Sequence, residues 1–525
     1  MPLCRHPGGC RYTANGQMFG APQFEFCLVH LPMSNKQRWG DSEREQFRAA
    51  IEWATAEADR THSRLNLTGL QLPEEIHLRL KPRFGLIMSG ANSTVGYSDL
   101  FAGTIFEGDV SIGDVQFTGS ANFVGSEFHG SKTAIHVNAA GSVIFNDCVF
   151  RGDTHLNPIR GQAIELDRAQ FLGTATLAFE AQQQLSLRGA RFHKEMSGSL
   201  RAARNLDLDT IECRGVAVLG VASTRYKPTT FRDARFTEGV DFLGSMFEGP
   251  LIFDGTQVGK SARFDYVIFN GRASFERCVF GGEVSFIGAE GNPQPGTGNC
   301  LQDVSFAGSA FGGRAVFRNR HLKATANFKD CLFAKAPEFH GADIHQAVQF
   351  PKEVAFGDTT SEYAAPSYRT LKLAMEKNRA RQEEAMFYAL EQRSLRHTPG
   401  EMGWWERSAS YIYDKMARYG QSFGRPLICL AGSWLLFALG YACWMGAPVN
   451  CSAPIDFKVL ARGVMFSTEQ VFNPFGIWKK SAQDLGGLTT AHFSALQLVA
   501  TLQSLISAGF AALFILGLRW RFKRE

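Results

Sequence analysis

The sequence is short of the features that usually announce a function. Its formal net charge is only +5 over 525 residues, too little for a nucleic-acid binder driven by bulk charge and too little for an acidic mimic of nucleic acid. The first thirty residues hold Cys, His and Gly but no apolar run of the secretory-signal type, so the N-terminus is expected in the cytoplasm. The eleven Cys are odd in number and scattered, which does not make a disulfide framework. There is no phosphate-binding loop, no Ser/His/Asp set and no carboxylate pair whose placement the sequence supports, so an enzyme is not expected. A chain of this length exceeds one compact core and should hold several domains.

What is abundant is Phe, at 44, and Gly, at 53. Such excess points to a biased repeat rather than a mixed globular fold. Phe231, Phe242, Phe253, Phe264, Phe275 and Phe286 stand eleven apart, and after the insertion "GNPQPGTGNC" the count resumes at Phe306, Phe317, Phe328, Phe339 and Phe350. A second series lies five residues later, at Phe236, Phe247, Val258, Phe269, Phe280, Phe311, Leu322, Phe333 and Ile344. The register is already present at Phe101, Phe106, Ile112, Phe117, Phe123 and Phe128, and in looser form at Phe145, Phe150, Leu156, Leu166, Phe171 and Leu177.

An eleven-residue period could make a right-handed helical supercoil. Five residues along an α-helix, however, rotate by about 140°, which would put the two series on different faces. The Gly two residues after many of these Phe, such as Gly244, Gly255, Gly271 and Gly282, would each cost a helix about 1 kcal/mol. A small residue usually sits two before each large one, as at Ala234, Val240, Ser245, Thr256, Ala262, Cys278, Ser309, Ala326 and Cys331. One large and one small inward residue per short side, with turn formers between, describes a tightly wound β-solenoid.

Residues 80 to 350 thus resemble the pentapeptide-repeat family in its Phe-rich variant. The resemblance implies a right-handed quadrilateral β-helix with about 22 residues per coil, some eleven coils at about 4.8 Å making a rod of about 50 Å. The Phe ruler is then core, and Cys148, Cys278 and Cys331 are core fillers rather than ligands. Some family members mimic DNA, but the nearly balanced charge of residues 231 to 350 lends that analogy no support.

At the N-terminus, Cys4, Cys10, Cys27 and His30 form a C-x5-C-x16-C-x2-H arrangement, with His6 as a spare. Three thiolates and an imidazole are a tetrahedral Zn2+ set, and the spacing resembles small CCCH zinc modules; the metal would be structural, since all four positions are filled. "SEREQFRAAIEWATAEADR" (42 to 60) predicts an amphipathic helix capped by Ser42. "LNLTGLQLPEEIHL" leads into the solenoid and is assigned to capping its first coil, whose open end would otherwise expose a strand edge.

After Phe350 the composition changes. Residues 367 to 396 predict a charged amphipathic helix ended by "HTPG". Residues 404 to 425 combine aromatics with Lys415, Arg418 and Arg425, as a membrane-interface segment would. Uncharged runs at 426 to 444 and 496 to 518 are long enough to span a bilayer. Basic residues beside the outer end of each place both chain ends in the cytoplasm. Between them, "FKVLARGVMFSTEQVFNPFGIW" (457 to 478) predicts a short re-entrant helix ending at Asn473 and Pro474, with Ser467 within it.

Span, re-entrant helix, span resembles the two-transmembrane pore-loop ion channels. No TVGYG-like filter is present, so potassium selectivity is not implied. Gln497, Gln503, Ser504 and Ser507 are polar in the second span and are candidates for lining a pore. The expected organisation is a zinc module (1–40), a helix and cap (41–79), the solenoid (80–356), linker and interfacial helices (357–425) and a two-span domain (426–525). The expected function is a homo-oligomeric channel or pore, a tetramer favoured, in a bacterial inner membrane, with the solenoid as a cytoplasmic sensor. The competing expectation is a membrane-anchored scaffold whose solenoid binds a protein partner without conduction.

Overall fold

The computed structural model describes residues 40–67, 70–72, 86–89, 93–96, 99–223, 227–290, 300–301, 303–323, 325–444, 457–472 and 490–522. The chain divides into two compact units, Met1–Asp358 and Thr359–Glu525. The first opens with helix α1, Asp41–Arg60. Its apolar residues Phe47, Ile51, Ala54 and Ala58 recur at helical spacing and are buried. The N-cap is Gly40, in extended conformation, so Ser42 lies inside the first turn rather than capping it.

Next comes a parallel β-solenoid. Leu65–Asn66 pairs with Leu86–Ile87, and Gln71–Leu72 with Thr94–Val95. The stretch assigned to capping therefore contributes strands of its own. One side of the solenoid is an eleven-stranded parallel ladder running from Ile105–Phe106 to Leu332–Phe333, which counts about eleven turns. In the regular half, Thr229–Thr230, Arg235–Phe236, Gly239–Asp241 and Met246–Phe247 make successive sides of one turn. Each pairs in parallel with its counterpart in the next turn: Leu251–Ile252, Gln257–Val258, Ser261–Arg263 and Ile268–Phe269.

The side chains explain the two Phe series. Rings one turn apart stack almost parallel: Phe242 on Phe264 at 5.1 Å, Phe264 on Phe286 at 4.8 Å, Phe306 on Phe328 at 5.1 Å. Rings eleven residues apart meet edge to face within the tube, as Phe253 and Phe264 do at 5.5 Å and 85°, and Phe264 and Phe275 at 5.2 Å and 80°. Both geometries are favourable for aromatic quadrupoles. Gly282 shows why a side chain is excluded at its position: a Cβ there would strike the Lys260 carbonyl of the turn below.

The small inward residues do more than leave room. Ser126, Thr256 and Ser309 donate their hydroxyls to the carbonyls of Phe101, Phe231 and Phe275 at 2.6–2.7 Å. The thiols of Cys148, Cys278 and Cys331 do the same to Phe123, Phe253 and Phe306 at 2.9–3.1 Å. Each reaches the central Phe of an earlier turn, satisfying a buried backbone acceptor. Arg320 occupies one such position, two before Leu322, and is wholly buried. Its Nε and two Nη groups donate to the carbonyls of Phe286, Val267 and Phe264 at 2.7, 3.1 and 3.0 Å. This happens where the insertion lengthens one turn and pairs Val279 with Ala310. One charge-assisted donor there serves three carbonyls at once.

Between residues 110 and 223 the short sides fuse into long strands. Asp153–Glu165 pairs with Ala175–Ser186 over most of its 13 residues, with register shifts at Leu156/Ile159 and Gly161/Ala163. These strands alternate buried and exposed residues, as Val216–Ser223 does throughout.

The second unit is helical. The single helix expected over 367–396 is two, α2 (Ala364–Lys377) and α3 (Arg381–Leu395), separated by Arg379 in the left-handed region. The break lets α2 and α3 pack on each other, burying Tyr368, Leu371 and Met375 with Phe387 and Leu390. A continuous helix would leave both apolar stripes unmatched. Helix α4, Trp404–Ala417, ends in three consecutive left-handed residues, Arg418, Tyr419 and Gly420. Helices α5 (Gly424–Trp444), α6 (Phe457–Phe472) and α7 (Thr490–Phe522) complete the unit. Two helical stretches, Gly424–Trp444 and Leu496–Arg519, are long and apolar enough to cross a membrane. Only 17% and 28% of their most apolar residues are buried, so packing within the chain leaves most of that surface uncovered.

Phe264→Ala is expected to lower the stability of the solenoid by about 3–5 kcal/mol, read from urea titration by circular dichroism, with Phe264→Leu costing less. Burial pushes the thiols of Cys148, Cys278 and Cys331 up to about 12. At pH 8 in native protein, peptide mapping after iodoacetamide should therefore find these three unmodified and the exposed Cys443 alkylated.

Candidate functional site

The proposed zinc ligands Cys4, Cys10, Cys27 and His30 lie outside the described residues, as do Asn473 and Pro474 of the expected re-entrant segment. Among the described residues, no group of three or more His, Cys, Asp or Glu is placed to hold a metal.

The remaining candidates converge in the second unit. Helix α6 packs against both α5 and α7. Gly463 of α6 is what permits the close crossing with α5, since a Cβ there would lie 2.6 Å from the Ala438 carbonyl oxygen. Around it, Tyr441, Phe466, Leu496 and Ala500 form a buried apolar cluster. Beside that cluster runs a polar seam. Ser467 donates to the Trp434 carbonyl at 2.8 Å, and the Trp434 indole donates to Thr468 at 3.0 Å. The Gln503 amide donates to the Ser467 hydroxyl at 2.7 Å and to its carbonyl at 3.1 Å. Ser504 donates to the Ala500 carbonyl at 3.0 Å and lies 3.3 Å from the Gln470 side-chain oxygen.

Ser467 of the expected re-entrant helix is thus brought onto Gln503 of the second span, and Gln470 onto Ser504. Ser507 is buried on the same stretch of α7, whereas Gln497 is exposed. Among the described residues, the Gln503 side-chain oxygen and the hydroxyls of Ser507 and Tyr441 are buried without a hydrogen-bond partner. Buried polar atoms of this kind are uncommon and call for a reason.

Ahead of the apolar helices, charge ties the connector together. Glu391, only 3% exposed, takes Arg369 and Lys372, each at 2.7 Å. Asp414 of α4 takes Arg393 of α3 and Arg396 just after it, each at 2.8 Å. Nothing in the sequence pattern paired Glu391 with Arg369 and Lys372, because the break at Arg379 that aligns them carries no Gly or Pro. Trp404, Trp405, Tyr411 and Ile412 of α4 are exposed, with Arg396 over the Tyr411 ring at 5.7 Å.

On the solenoid, surface charges pair from turn to turn rather than gathering in a patch of one sign. Arg168 meets Asp147 and Arg160 meets Glu180, both at 2.7 Å, and Arg318 meets Glu338 at 2.8 Å. A 740 Å3 groove lies along the long-strand region, lined by Arg160, Glu180, Gln182, Arg201, Met246 and Glu248 among others. Compared with known proteins, the chain matches no family model, no curated protein and no solved structure.

Burial would raise the Asp414 carboxyl, but the hydrogen bonds and charges of Arg393 and Arg396 outweigh it and hold the group below its ordinary range. A depressed carboxyl stabilises the fold above its unfolded pKa, and that contribution is lost as pH falls through the folded one. The helical unit should accordingly loosen below about pH 4, followed by tyrosine fluorescence, and Asp414→Asn should remove that part of the acid dependence.

Proposed function

We propose that the chain is the subunit of an oligomeric membrane channel or pore, a tetramer favoured, whose solenoid is a cytoplasmic sensor. In this reading α5 and the apolar part of α7 span a bacterial inner membrane, both termini are cytoplasmic and α6 is the re-entrant element. The solenoid is a right-handed quadrilateral pentapeptide-repeat β-helix, and a structural Zn2+ on Cys4, Cys10, Cys27 and His30 closes the N-terminal module.

One observation carries the reading. Ser467 of α6 and Gln503, Ser504 and Ser507 of α7 share one seam, and among the described residues the Gln503 oxygen and Ser507 hydroxyl are buried without a hydrogen-bond partner. An unmet polar atom in hydrocarbon costs several kcal/mol. A mere anchor has no use for it, whereas water or a neighbouring subunit along a conduction path would satisfy it. The lipid-type surface needed outside the seam is present at the exposed Leu498, Leu505 and Ile515.

The alternative, a membrane-anchored scaffold, is favoured by the 740 Å3 groove on the solenoid, which offers a protein partner both charge and the Met246 side chain. Grafting another two-span anchor onto residues 1–400 separates the two, since a scaffold keeps its activity.

Purified protein in planar bilayers is expected to give stepwise currents, with unitary conductance altered in Gln503→Leu. Electrical silence under all stimuli together with a monomeric mass in detergent would sink the proposal.

A further inference from the structure

We infer that the junction of α3, α4 and the turn before α5 is a binding site for an alkylammonium group. A pocket of 330 Å3 opens there, lined by Lys372, Glu384, Tyr388, Tyr413, Tyr419 and Gln421, at the small end of ligand-site volumes. Its walls are aromatic and mutually perpendicular. Tyr419 stands edge-on to Tyr388 at 6.0 Å and 82°, and to Tyr413 at 5.4 Å and 82°. The turn is what places Tyr419: Arg418, Tyr419 and Gly420 all have positive φ. The Tyr419 hydroxyl is held by Ser410 at 2.7 Å, and Gln421 anchors the turn by donating to the Ala385 carbonyl at 2.7 Å. The cage is therefore set before a ligand arrives.

Its chemistry selects a cation. Ring faces attract ammonium groups, and burial keeps the phenols of Tyr413 and Tyr419 neutral by raising both. At the pocket, Glu384 presents a carboxylate oxygen that is buried and accepts no hydrogen bond. Its nearest cation, Arg381, stands at 3.9 Å and is half exposed. Lys372 is drawn toward Glu391 at 2.7 Å, a carboxylate it shares with Arg369, so its ammonium is partly compensated. It also lies 5.8 Å from the Tyr388 ring centroid, an ammonium already on one of these rings. The source of the group is either a free amine or a choline or ethanolamine lipid headgroup, the pocket ending at Gln421, three residues before α5 begins. The site does not depend on whether the protein conducts.

The test is calorimetric titration of the full chain, in a maltoside micelle free of phospholipid, with tetramethylammonium chloride against sodium chloride at equal ionic strength. Saturable binding specific to tetramethylammonium is expected, weakened about tenfold in Glu384→Gln and in Tyr413→Leu but retained in Tyr413→Phe, a loss within the range of a desolvated cation–π and carboxylate contact. Repeating the titration in nanodiscs separates the sources: phosphatidylcholine blocks the probe if a headgroup occupies the cage, and phosphatidylglycerol does not. A response equal to that of sodium chloride overturns the inference. So does binding unchanged in both weakening variants, or competition by inorganic phosphate that is lost in Lys372→Gln.

Discussion

A phenyl ring stacks on the ring beneath it only if the backbone delivers the next one about 5 Å higher, and a parallel β-ladder delivers strands at about that pitch. The coincidence of these two lengths is the constraint on which the first unit rests. Phe264 sits 4.8 Å below Phe286 because Ala262 and Val284, two residues earlier on each turn, are ladder partners. Any turn that gained or lost one residue in that stretch would move its Phe to the outer face. The chain tolerates a nine-residue lengthening near 291–299 because the whole excess is placed between ladder sites, so that Phe275 still stacks on Phe306 at 5.1 Å.

That constraint is also why so much of the solenoid could be read from the sequence. A core built one turn at a time repeats its demands at a fixed interval, and Phe231 to Phe350 states them plainly. Where the fold departs from the ruler, the sequence was less direct. Residues 153–223 form long strands whose alternation of inward and outward residues, as in "VAVLGVAS", follows a period of two and was hidden beneath the weaker eleven-residue count. The hydroxyl and thiol bonds from Ser126, Cys148 and Thr256 were invisible because the same residues would have served as fillers by size alone. Helix α2 was not separable from α3: Arg379 is an ordinary helix former, and only packing of the two apolar stripes turns it left-handed.

The polar candidates in the apolar helices show a different limit. Composition marked Gln503, Ser504 and Ser507 as out of place, and spacing set Ser467 within the intervening helix. That the first two would reach that helix, Gln503 at Ser467 and Ser504 at Gln470, depends on how α7 packs on α6, which no local pattern states. Among the described residues the Ser507 hydroxyl, on the same stretch of α7, finds no partner.

The two units handle charge by one rule and differ in what is left over. On the solenoid, cations and carboxylates pair across successive turns, so a regular surface satisfies itself and has little affinity to spare. In the helical connector, Glu391 and Asp414 each draw in two cations, which fixes α2, α3 and α4 together. Chemistry that remains unspent is concentrated in the seam around Gln503, and beside the left-handed turn at Tyr419, where a Glu384 oxygen is buried without a hydrogen bond. Regular packing thus does the structural work and removes reactivity from most of the surface. The capacity to recognise something else is concentrated at the irregular joints between helices.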